Sequence, residues 1–175
     1  IGNMVLTGAE HGARYGNVYI YNVGKLYVDR AKADHGTIDL TGEDGIEVRG
    51  QIHSNGGNIY LDAGYSAGRG GSFVQVRNGS EIHANSQDDV DWGIINIYGD
   101  GVTVSKVFGR VIKIWSQRVA LYGTNMLIAG DITDYDLSSA SLVAKDEIWL
   151  YADRNVNLTV DAPKIYIDAN GTVDL

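Results

Sequence analysis

A β-solenoid is the fold class this sequence predicts, on three observations. First, the chain is built from strand formers: 23 Gly stand against 1 Pro and 11 Tyr against 2 Phe, and Ile, Val, Leu and Ala supply most of the apolar residues. Strong helix formers are scarce, whereas β-branched and aromatic residues suit a pleated surface. Second, one short unit recurs, an aliphatic residue, any residue, then another aliphatic. Third, successive units often begin seven to nine residues apart, with Gly, Asn or Asp between them. That step fits a short strand and a corner, and repeated corners coil a chain where hairpins would fold it back.

The units run Val18/Ile20, Leu26/Val28, Ile38/Leu40, Ile46/Val48, Ile59/Leu61, Val74/Val76, Ile95/Ile97, Val102/Val104, Ile112/Ile114, Val119/Leu121, Ile148/Leu150, Val156/Leu158, Ile165/Ile167 and Val173/Leu175. Alternation puts both aliphatics of a unit on one face of a strand and the middle residue on the other. Glycines such as Gly24, Gly45, Gly56 and Gly79 supply the corners, where a sharp bend demands positive φ. Two segments break the rhythm and are read as loops leaving the coil, Gly64 to Ser72 and Ser86 to Trp92. A longer echo joins Val48–Asn55 to Val76–Asn85, each ending in Ile-His-(Ser/Ala)-Asn. Self-similarity over a few strands belongs to stacked coils, because one coil cannot bury its own face. The chain divides into a β-helical region over 1–130, a junction over 131–141 and a regular octad repeat over 142–175, and is expected to be a segment of a longer protein.

The octads read Asp146 to Asp153, Arg154 to Asp161, Ala162 to Ala169 and Asn170 to Leu175. They resemble the repeats of bacteriophage tail spikes and tail fibres. That resemblance implies an intertwined, homotrimeric triple-stranded β-helix in which three chains share one aliphatic core. It also implies a virion tail location, with other tail proteins as partners. The upstream run from Gly50 to Gly64 (GQIHSNGGNIYLDAG) is similar to the single-chain right-handed β-helix of filamentous-haemagglutinin-type secreted adhesins, and both windings stand as expectations. Tyr19, Tyr27, Tyr60, Trp149 and Tyr166 take the middle place of their units. Those strands are therefore apolar on both sides, and the outer side is expected either to be covered by neighbouring chains or to stay wet at the phenol tips.

Function is expected to be structural, a rigid fibre or spike rod in host attachment or envelope penetration, and not enzymatic. The alternative is a β-helix that binds or degrades a host surface polysaccharide, with Tyr60, Trp92, Tyr98, Trp149 and Tyr166 as candidate sugar contacts. A net charge of −8 repels polyanions and no Lys/Arg cluster stands out in sequence, so nucleic acid is not an expected partner. No apolar run is long enough for a membrane-spanning helix, and the opening residues from Ile1 do not read as a signal peptide. With no Cys, disulfides and thiolate metal sites are excluded. No catalytic residue, metal or cofactor is assigned. His53 and His83 share a context but are read as solvated outer residues, and Asp88, Asp89 and Asp91 as a solvated acidic loop. Gly68-Arg69-Gly70-Gly71 lacks the Lys-Ser/Thr of a phosphate loop.

Overall fold

The computed structural model describes residues 4–6, 9–11, 16–64, 72–77, 79–86, 90–99, 101–116, 141–152, 156–157, 159–169 and 173–174. These contain seventeen strands and no helix. In chain order they are β1 (Met4–Leu6) and β2 (Ala9–His11), then β3 (Val18–Asn22) and β4 (Leu26–Ala33), then β5 (Ile38–Gly42) and β6 (Ile46–His53). Next come β7 (Ile59–Ala63), β8 (Phe73–Val76) and β9 (Glu81–His83), followed by β10 (Ile94–Gly99), β11 (Gly101–Thr103) and β12 (Lys106–Ser116). The last are β13 (Ser141–Ala152), β14 (Val156–Asn157), β15 (Thr159–Asp161), β16 (Lys164–Ala169) and β17 (Val173–Asp174).

Every ladder between these strands is parallel, and the ladders make three faces. The first face runs β3, β5, β7, β10, the second half of β12, the second half of β13, and β16. The second stacks β1, the start of β4, the start of β6, β8 and β11. The third stacks β2, the end of β4, the end of β6, β9, the start of β12, the start of β13, and β15. β14 and β17 form a separate two-stranded ladder. The chain visits the faces in rotation, which is the course of a solenoid.

The pairing fixes the length of a coil. On the first face Val18 pairs with Ile38, 20 residues on, and Ile38 pairs with Ile59, 21 residues on. Ile95 pairs with Ile112 and Ile148 with Ile165, each 17 residues on. Ile59 pairs with Ile95 across 36 residues, an interval that contains both expected excursions. Residues 65–71 and 87–89 of those excursions lie outside the described residues. What is described of the second returns on itself: Asn85 and Trp92 form an antiparallel bridge, and the Ser86 amide donates to the Asp91 carbonyl at 2.7 Å.

Among the described residues, strands such as β5, β7, β10 and β12 have both edges taken by strands of the same chain. Ile148 lies in the first-face half of β13, Val156 in the next ladder and Ile165 on the first face again, so within this chain an octad spans about half a coil. Residues 131–140 of the expected junction lie outside the described residues, and β12 pairs directly with β13 across that interval.

The core is the set of inward aliphatics. Leu26, Ile38, Ile46, Ile52, Ile59, Ile82, Ile95, Ile97, Ile112 and Ile114 are fully buried, each side chain stacked on its equivalent one coil away. Burying a Leu or Ile side chain contributes roughly 1.5–3 kcal/mol, so the column is the main source of stability. Ile165 departs from this pattern. It aligns with Ile148 yet is 39% exposed, and among the described residues β16 pairs only with β13.

Corners are held by side chains that reach from coil to coil. Asn17 Oδ1 accepts the Thr37 amide at 2.7 Å, and Asn58 Oδ1 accepts the Ile94 amide at 2.9 Å. Ser72 Oγ donates to the Glu43 carbonyl at 2.6 Å. Each bond satisfies a backbone group that a turn would otherwise leave unpaired near the core.

Candidate functional site

Parallel, in-register pairing turns equivalent outward residues into rows at roughly the 4.8 Å strand spacing. On the first face one row runs Tyr19, Asp39, Tyr60, Asn96, Lys113, Trp149, Tyr166, and the next includes Tyr21, Thr41, Asp62, Tyr98, Trp115 and Asp168. Four of the five expected sugar contacts therefore share this face. Tyr60, Trp149 and Tyr166 lie in the first row and Tyr98 in the second. Trp92 stands off both rows, at the bridge that closes the second excursion.

The spacing brings neighbouring rings into contact. Tyr98 stacks on Trp115 with centroids 4.5 Å apart and 5° between planes, and Trp149 stacks on Tyr166 at 3.9 Å and 17°. Lys113 Nζ lies 5.7 Å from the Trp149 ring centroid, a cation over a π face. These rings cover one another, which supplies within the chain part of the outer layer that such two-sided apolar strands demand. Tyr19 and Tyr21, at 64% and 60%, and Tyr166, at 42%, stay exposed. A stacked pair spends ring faces on itself, so it offers a ligand ring edges, polar tips and the outer side of Tyr166.

Beside the Trp149–Tyr166 pair, where the third face turns into the first, lies an open groove of about 410 Å³ lined by Arg110, Val111, Asp146, Glu147, Pro163 and Lys164. Glu147 organises its wall. The Trp149 indole N–H donates to Glu147 Oε2 at 2.9 Å, and Lys164 Nζ donates to Oε1 at 3.2 Å. The indole bond first, and the Lys164 ammonium next, hold the Glu147 carboxyl below the usual carboxylate range. Glu147 in turn raises Lys164. Arg110 and Asp146 face each other across 4.0 Å. The groove thus combines an ionised acceptor and two cationic donors, groups that hydrogen-bond hydroxyls, with the apolar Val111 and Pro163 beside them.

The histidines are not simply solvated. His53 and His83 lie side by side on the third face with ring centroids 5.9 Å apart, and His83 stacks on Phe108 at 4.6 Å and 12°. His83 Nε2 donates to Glu81 Oε2 at 3.0 Å, and Lys106 pairs with the other oxygen at 3.2 Å. His53 Nε2 donates to the Asn85 carbonyl at 3.0 Å. Among the described residues no group of three or more His, Asp or Glu could hold a metal ion. Asp91 lies 3.8 Å from His35, while Asp88 and Asp89 lie outside the described residues, as do Gly68 to Gly71.

Sequence reading alone does not single out Lys113, Trp115, Glu147 and Lys164. The signal for Trp115 is its place directly after Ile114, the same place that Tyr21 and Tyr98 hold in their units. Glu147 and Lys164 carry no such signal, because only the 17-residue coil sets them side by side. Comparison of the chain with protein-family models, with curated proteins and with solved structures finds no match.

Proposed function

We propose that the chain is a structural rod with an adhesive surface and not an enzyme. It is the kind of element that a phage tail fibre or spike, or a secreted adhesin, uses to hold a receptor-binding tip away from its base. The observation that carries this reading is the unbroken register of the first face from β3 to β16. A parallel ladder with a continuous aliphatic column resists bending and stretching, because any deformation opens backbone hydrogen bonds and core contacts together. In the fibre setting, three complete solenoids pack side by side as a homotrimer through exposed tyrosines such as Tyr19 and Tyr21. Light scattering is expected to give three copies, and a monomer would shift the reading to the single-chain adhesin.

The groove favours a second role, binding of a surface polysaccharide. Of the two carboxyl roles in a glycosidase, the lowered Glu147 fits the ionised one and not the proton donor. Trp149→Ala is expected to weaken glycan binding about tenfold, since aromatic contact and the indole bond to Glu147 are lost together. Titration of wild type and variant with neutral oligosaccharides measures this. Equal affinity of the two would remove the groove from the account.

A further inference from the structure

On the second face, sequence-distant cations converge on one carboxylate. Glu47 sits in the outward row between Tyr27 and Gln75, yet its side chain is only 6% exposed. Three cations cover it: Lys25 Nζ lies 2.9 Å from Oε2, and Arg49 Nε and Arg77 Nη2 lie 2.9 and 2.7 Å from Oε1. Burial alone would raise the Glu47 pKa, but bonds from Lys25 and Arg49 and the field of Arg77 outweigh it and lower the carboxyl. The cluster brings together residues 25, 49 and 77, which is why no Lys/Arg run marks it in the sequence. It carries three positive charges against one negative, on a chain whose net charge is −8.

The carboxylate lies beneath and the cations face out, with Arg49 and Arg77 side chains 36% and 53% exposed. A guanidinium has five N–H donors in a rigid fork, and the bonds to Glu47 use one nitrogen of each arginine. Arg49 is further held in place by the Tyr27 ring, 3.9 Å from its centroid, with Lys25 Nζ 5.2 Å from the same centroid. Two positioned forks and an ammonium around a buried counter-charge form a receptor for a planar or tetrahedral oxyanion.

We infer that Lys25, Arg49 and Arg77 bind the carboxylate or sulfate of an acidic sugar, with Glu47 as the positioning residue that gathers them. The net negative charge repels a densely charged polymer such as nucleic acid, so the ligand that fits carries an isolated acidic group on a neutral body. The oxyanion site stands on the charges alone. That its carrier is a saccharide rests on the adhesive reading above.

The test titrates the intact chain with sialyllactose, with sulfated lactose and with lactose as the neutral control, following affinity by calorimetry. At least one charged sugar is expected to bind about tenfold or more tightly than lactose, to lose that advantage in the Arg49→Gln/Arg77→Gln double variant, and to weaken as salt rises. Should the double variant not fold, Arg77→Gln alone serves, since Arg77 is the most exposed of the three cations. Charged and neutral sugars binding equally, or a charged-sugar affinity unchanged in the folded arginine variants, overturns the site. Trp149→Ala, measured with the same ligands, is expected to leave the charged-sugar advantage intact, so failure of the groove and failure of the arginine cluster give different patterns.

Discussion

At Gly57 an added Cβ would overlap the Gly36 carbonyl oxygen and lie 2.7 Å from its carbon; at Gly36 it would overlap Gly16, and at Gly93 it would overlap Gly57. These glycines stack coil on coil at the corner that enters the first face. The obstacle each time is backbone, which no rotamer change can move aside. Gly57→Ala is therefore expected to destabilise the fold by about 1–3 kcal/mol, the usual cost of overpacking, read from the denaturant midpoint. Gly79, with φ 80 but nothing within 4 Å of an added Cβ, is a corner of another kind, where conformation alone asks for glycine. Both kinds look alike in sequence, since a close approach by a neighbouring coil leaves no mark in the local residues.

Strands bring the same lesson to the outer rows. The middle place of a unit is legible as outward, and Tyr60, Trp149 and Tyr166 do share a row. What fills the next rung is set by coil length, so the partnership of Trp149 with Tyr166 or of His53 with His83 follows only from register. The third-face histidines give the element-scale prediction. Burial lowers the His53 pKa below its ordinary 6.5, aided by His83 and Lys32 and opposed by its bond to the Asn85 carbonyl. Below the ordinary pKa the unfolded chain takes up a proton that the folded chain refuses, until pH passes the lowered folded value. Stability is thus complete above about pH 6.5 and falls as pH drops through that window. Thermal melts between about pH 7.5 and 5 should show the loss, and His53→Gln should flatten it.

Across the whole molecule, stability is a sum over coils and their neighbours, so the coils with a ladder on both sides should open last. Amide exchange is expected to be slowest in β5, β7 and β10, which are paired on both edges. It should be fastest in β1, β2 and β16, which have one ladder partner among the described residues and include exposed side chains such as Val5 and Ile165. Uniform protection from end to end would mean that the coils unfold as one unit. Ile165 also shows why inwardness and burial differ: alternation points it to the axis, but cover comes only from the next coil.

By itself the sequence determined the all-β class, the short strands and the inward identity of residues such as Ile38, Ile59, Ile95 and Ile148, because these depend on local alternation and corner chemistry. Tertiary structure alone decided that an octad spans half a coil, and that Glu47 draws in cations from three coils while Glu147 joins Trp149 to Lys164. The reason is the coil itself: it converts separations of 17 to 36 residues into contacts a strand's width apart, and a period that varies between coils cannot be read from any short stretch of chain.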